Sequence, residues 1–163
     1  MNRRTVMIGT GLLISLGGVN ALVIQKERLL ASGRKVLLEL APVDPRSLIQ
    51  GDYMTLDYDA ARRLRSVEDA PSDGNVVIKL DARGVGTFVR VEKGNETLSP
   101  DELRLRYRTR EGTIRIGSGA FFFQEGHAGH YERAKYGELR VADSGTSVLV
   151  ALCDKDVVRI KPM

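Results

Sequence analysis

The sequence predicts a mainly β domain behind a single N-terminal transmembrane helix. The domain is a mostly antiparallel sheet, folded as a partly closed barrel or a sandwich, with one or two short helices. Three observations carry this reading: one long uncharged apolar run, a series of short alternating segments, and Gly/Asp/Ser clusters recurring between them.

The apolar run opens at Val6, closes at Ile24 and contains no charged residue. At ~1.5 Å per residue it approaches the ~30 Å needed to cross a bilayer. Arg3 and Arg4 precede it, and Lys26, Glu27 and Arg28 follow. No polar face appears along it, which argues against a buried helix of a soluble protein. A signal peptide cut after Ala21 is the competing reading, but Leu22, Val23 and Ile24 continue the run past that site. Basic residues flank both ends, so the charge count leaves the orientation open. A signal-like start favours a domain outside the cytoplasm.

Residues 1–31 are therefore expected to form the anchor and its helical extension, stopped by Ser32-Gly33, and residues 32–163 the β-rich domain. A strand is expected over 35–41, ended by Pro42 and Pro45. Met54, Leu56 and Tyr58 alternate with Thr55 and Asp57 as a period-two strand, followed by a short helical turn over 59–64. Hairpins follow: 76–80 with 87–91, the Leu103/Leu105/Tyr107 strand with 113–116, and 139–142 with 147–152. Their turns carry the Gly and Asp that tight reversals need. A second short helix is expected within 126–135.

Composition excludes several classes. Of 163 residues, 42% are hydrophobic and 28% charged, which suits one ordinary folded domain. Trp is absent and aromatics are 6%, a poor base for a nucleic-acid stacking platform. The net charge of +4 is spread among interspersed acids and bases, so no nucleic-acid partner is expected. Cys153 is the sole cysteine, which excludes an internal disulfide framework and cysteine-based zinc sites; it reads as a small buried residue. Arg104, Arg106, Arg108 and Arg110 alternate along one strand; they read as its solvated face, with anionic lipid or polyanion binding as the alternative.

The most unusual stretch is PRSLIQGDYMTLDY, residues 45–58. Gly51 suits a turn conformation closed to other residues, and Asp52 can accept backbone N–H bonds at the strand entry. Tyr53 and Tyr58 have opposite parity and so face opposite sides. GDYMTLDY resembles the pattern that names the GDYXXLXY family of bacterial membrane-anchored proteins, with Gly51, Asp52, Tyr53, Leu56 and Tyr58 on its fixed positions. FFFQEG at 121–126, Tyr131, and YGELRV at 136–141 are similar to the family's second half. The resemblance implies a one-anchor protein of the inner membrane, working beside a multipass membrane protein. It carries over no catalytic residue and no cofactor.

Pro45, Leu48, Gly51 and Asp52 also resemble the loop of membrane-bound signal peptidases, which pair a serine with a neutral, buried lysine. Here Val43 or Asp44 stands at the nucleophile position. The alternative function, a serine/lysine hydrolase, would need Ser47 within reach of a desolvated Lys79 or Lys93. A metal site on Glu125, His127 and His130 would want a further ligand, for which Glu132 and Asp143 are the candidates; the histidines read instead as structural or solvent-facing. In Phe121, Phe122 and Phe123 one ring opposes its neighbours; it either buries beneath Tyr131 or forms an exposed patch. The expected function is non-catalytic binding of a membrane partner or small envelope ligand. Its candidate residues are Gly51, Asp52, Tyr53, Tyr58, Glu125, Tyr131 and Tyr136, with no metal or catalytic group among them.

Overall fold

The computed structural model describes residues 3–41, 49–50, 53–94, 96–124 and 126–162. Helix α1 (Arg3–Ser32) runs for 30 residues, ~45 Å of axis. Its apolar portion, Met7–Ser32, has mean hydropathy 1.9 and is long and apolar enough to cross a membrane, with none of that apolar window buried in the domain. Leu29 alone among its described side chains is buried. Gly33 then stops the helix: its N–H bonds the Leu29 carbonyl at 2.9 Å, and a Cβ there would lie 2.5 Å from that oxygen. Arg140 holds the Gly33 carbonyl at 3.2 Å.

Among the described residues, ten strands follow in two sheets. They are β1 (Arg34–Glu39), β2 (Ile49–Gln50), β3 (Tyr53–Thr55), β4 (Asp73–Leu80), β5 (Val85–Val91), β6 (Glu102–Arg110), β7 (Thr113–Ile116), β8 (Ala120–Phe122), β9 (Tyr136–Val141) and β10 (Ser147–Cys153). Helix α2 (Asp59–Arg65) precedes β4, and the single turn α3 (Ala128–Tyr131) precedes β9. The large sheet has the order β10-β9-β1-β5-β4-β6-β7, and the small one β2-β3-β8. The large sheet is nearly closed: Arg106 N–H on β6 bonds the Gly145 carbonyl, at the β9–β10 hairpin tip, at 2.8 Å.

Strand parity builds the core. Val36 and Leu38 on β1, Val76 and Ile78 on β4, Leu105 and Tyr107 on β6, and Leu139 and Val141 on β9 all point inward. Ala60, Ala61 and Leu64 of α2 and the motif residues Met54, Leu56 and Tyr58 pack onto the same core. The expected hairpins are present. In the β4–β5 turn Asp81 Oδ1 accepts N–H bonds from Arg83 and Val85, each 2.8 Å, and Gly84 takes φ 81°. The Val85 N–H above all holds the Asp81 carboxyl below its ordinary pKa.

Two expectations need adjustment, and the mostly antiparallel sheet holds a parallel pair, β1 with β5. The chain leaves β1 for the small sheet, α2 and β4, and returns beside it, the long excursion a parallel pair requires. The strand through Tyr58 is interrupted after Thr55, although Met54, Leu56 and Tyr58 are all buried as period two demands. There the backbone changes partners: Leu56 N–H bonds the Gly119 carbonyl and Tyr58 bridges to Leu40. The helix within 126–135 shrinks to four residues, flanked by Gly126 at φ 81° and containing Gly129, both poor helix formers.

The outer face of β1 and β9 carries a second, smaller core of Leu37, Val85, Tyr136 and Cys153. Glu138 lies within it with 0% exposure. The chain turns back after β10, with Asp154 Oδ1 accepting the Asp156 and Val158 N–H groups at 3.0 Å. That return brings Arg159 onto the Glu138 carboxylate, with Nε at 2.7 Å and Nη2 on the second oxygen. Lys35 adds a cation at 3.7 Å. The Arg159 bond holds the Glu138 carboxyl below its ordinary pKa against the opposing effect of burial. A second carboxylate, Glu102, is bonded by Arg90 at 2.6 Å and held down at about 2.

Removing one partner of a buried pair leaves an uncompensated charge. Arg159→Ala is expected to cost about 2–3 kcal/mol, with Lys35 retained, as a lowered urea midpoint of the full chain in micelles. Both carboxyls bind protons more weakly folded than unfolded. Their stabilisation is therefore present above the ordinary value of 4.5 and lost as pH falls below it, for Glu102 toward about 2. The unfolding midpoint should drop through that window, and Glu138→Gln should flatten part of the drop.

Candidate functional site

The motif strand β3 is the centre of the small sheet. It pairs with β2 at Gln50↔Tyr53 and with β8 at Tyr53↔Phe122, Met54↔Phe121 and Thr55↔Ala120. Cross-strand neighbours share a face, so the rings of Tyr53 and Phe122 lie together, centroids 5.8 Å apart. Met54 and Phe121 turn the other way, toward the core. Phe122 is 75% exposed. Its two neighbours instead pack on Tyr131, Phe121 edge-on at 5.1 Å and Phe123 stacked at 5.2 Å. The odd ring of the triplet is thus the exposed one.

Two concave surfaces flank this ridge. A groove of about 370 Å³ runs along Phe121–Phe123 to His127, Tyr131 and Pro162. A cleft of about 590 Å³ lies between β3 and β7, lined by Tyr53, Thr55, Asp57, Arg65 and Arg115, with Tyr58 beneath. Asp57 pairs with Arg65 at 2.7 Å. Tyr58 is 2% exposed; its hydroxyl donates to the Ser118 carbonyl at 3.3 Å, and burial raises its pKa well above the usual phenol. Its ring lies against Gly137, where a Cβ would sit 3.0 Å from the ring edge.

The expected site residues are therefore distributed. Tyr53 packs on Phe122 on one face of the small sheet and Tyr131 on Phe121 and Phe123 on the other, while Tyr58 sits under the cleft in the core. Tyr136 belongs to the outer cluster beside Cys153, on a different face. Gly51, Asp52 and Glu125 lie outside the described residues, as does Ser47. His130 Nε2 is 2.8 Å from the Lys161 carbonyl, tying the carboxyl-terminal segment down. No group of three metal-ligating side chains occurs among the described residues.

The lysines needed for a hydrolase are not desolvated. Lys79 is 63% exposed and paired with Asp101 at 3.1 Å, and Lys93 is exposed. Cys153 is buried, 3.9 Å from Glu138, and burial pushes its thiol pKa up, away from reactive thiolate. Glu138 itself escapes sequence reasoning. Its parity with Tyr136 marks it as outward-facing, and nothing in the local pattern announces the tail that covers it.

What the fold and these surfaces define is a helix-led, nearly closed β domain with an aromatic ridge at its motif strand. The family model of the GDYXXLXY protein matches residues 15–152, and the chain belongs to that family. Comparison with curated proteins and with solved structures returns no match.

The Tyr58–Gly137 contact joins the two halves of the family pattern. Gly137→Ala must displace a confined ring, so a loss of about 1–3 kcal/mol is expected in urea unfolding. Phe122→Ser, on an exposed ring, should change stability by no more than ~0.5 kcal/mol.

Proposed function

We propose that this chain is a single-anchor bacterial envelope protein of the inner membrane. Its β domain lies outside the cytoplasm and binds a membrane partner without catalysis. The observation that carries the reading is the Tyr53–Phe122 ridge, a large apolar ring left in water between two grooves. An isolated exposed ring needs no explanation, but one paired to the motif tyrosine on a two-groove surface is the chemistry of a hot spot. Supporting it, α1 would confine the domain close to a bilayer, where proximity raises the effective concentration of membrane neighbours. Asp52 and Glu125 extend the proposed surface on the sequence pattern alone.

The test replaces Phe122 with a photo-crosslinking residue in the full chain in native membranes. A discrete membrane-protein adduct is expected. With the crosslinker moved to Gln124, Tyr53→Ser should reduce the adduct by about tenfold with unchanged unfolding, in keeping with a hot-spot loss. Asp52→Ala should weaken the same capture while the domain stays folded. Diffuse labelling by many proteins, insensitive to Tyr53→Ser, would dismiss the ridge as a recognition surface. Protease added outside intact spheroplasts should remove the domain; protection would reverse the orientation.

A further inference from the structure

We infer that the junction between α1 and the barrel is a seat for anionic phospholipid headgroups. The arginine row of β6 points outward as its parity requires, but it does not face open solvent alone. Arg106, Arg108, Arg110 and, across the hairpin, Arg115 line a groove of about 480 Å³ whose opposite wall is Lys26 of α1. Lys26, Arg106 and Thr146 also line a neighbouring groove of about 530 Å³, which adds Arg28 and Arg34. The two grooves therefore form one basic trough around the β9–β10 hairpin tip.

Few carboxylates answer this charge. Asp143 lines the second groove, and Asp73 lies 3.6 Å from Arg108. Among the described residues, the Arg34 side chain reaches only the Pro100 carbonyl, at 3.5 Å. By contrast, Arg104 at the far end of the same row is bonded to Glu92 at 2.9 Å, and Arg90 nearby holds two glutamates. Arg90 and Arg104 are thus neutralised inside the domain, whereas among the described residues no carboxylate pairs with the Arg106, Arg110 or Arg115 side chain, and these are left to an external anion.

The depth of the trough names that anion. The uncharged run ends at Ile24, so Lys26 lies ~3 Å and Ser32 ~12 Å beyond the apolar segment along the helix. A headgroup layer extends about 5–7 Å past the hydrocarbon on each side. The trough mouth at Lys26 and Arg28 falls within that layer. Leu29, buried against the domain, and the Arg140–Gly33 bond fix the helix end to β9, so the arginines are held there rather than swinging free. Basic side chains at this depth attract anionic lipid and are screened by salt.

The test uses the full chain in phosphatidylcholine vesicles doped with a trace of photoactivatable lipid, either phosphatidylglycerol or phosphatidylcholine. The anionic probe should label the protein about fivefold more strongly, on peptides of the trough, and the excess should shrink toward 1 M salt. The triple variant Arg106→Gln, Arg110→Gln, Arg115→Gln should bring the ratio near one. Arg115→Gln alone and the salt series carry the test if the triple variant misfolds. Equal labelling by both probes would overturn the inference. So would an excess unchanged in the variants, which would assign the attraction to the helix flanks. Inorganic phosphate or duplex DNA that erases the excess at low concentration would reassign the trough to a soluble anion.

Discussion

The structure depends on one buried ring. Tyr58 lies where the chain passes from the small sheet to the large one, and four contacts converge on it. Its backbone bridges Leu40 beyond β1, its carbonyl accepts the first N–H bonds of α2, its hydroxyl bonds the Ser118 carbonyl, and its ring fills the space left by Gly137. A ring confined this way admits little rearrangement, because interiors pack at near-crystalline density. The small sheet is held in a single placement on the barrel, and with it the Tyr53–Phe122 ridge.

Charge is divided between pairs that fasten the fold and cations with few carboxylates beside them. Glu138, fully buried on an outward-facing position, is tolerated because Arg159 satisfies both its oxygens and Lys35 lies close. That clamp gives the carboxyl-terminal tail a fixed position and seals the second small core. The Arg90, Arg104, Glu92, Glu96 and Glu102 cluster similarly closes the end of β5 and β6 on itself. Cations around the helix junction have few such partners. The same residue types thus have different consequences according to which carboxylates the fold brings near them.

Much of the fold was legible in the residues. Alternation in Leu103–Tyr107, the Gly/Asp turns and the uncharged run each report a local rule, and each element formed where its rule operates. The parallel β1–β5 pair was not legible, because strand pairing across a long excursion leaves no local trace. The site was legible in part. Tyr53 and the phenylalanine triplet stand apart in the sequence, yet their pairing at Tyr53↔Phe122 spans 69 residues of chain. Tyr136, equally prominent in the pattern, went to another face because strand parity turned it away from Gly137.

Sequence alone determined the helix, the inward and outward residues of most strands, and the family pattern, because these depend on neighbours within a few positions. Only the tertiary structure decided which outward residues would be covered, which ring of three would stay in water, and which arginines would lack carboxylates. Those outcomes turn on segments far apart in the chain arriving at one place, and no local periodicity encodes that arrival.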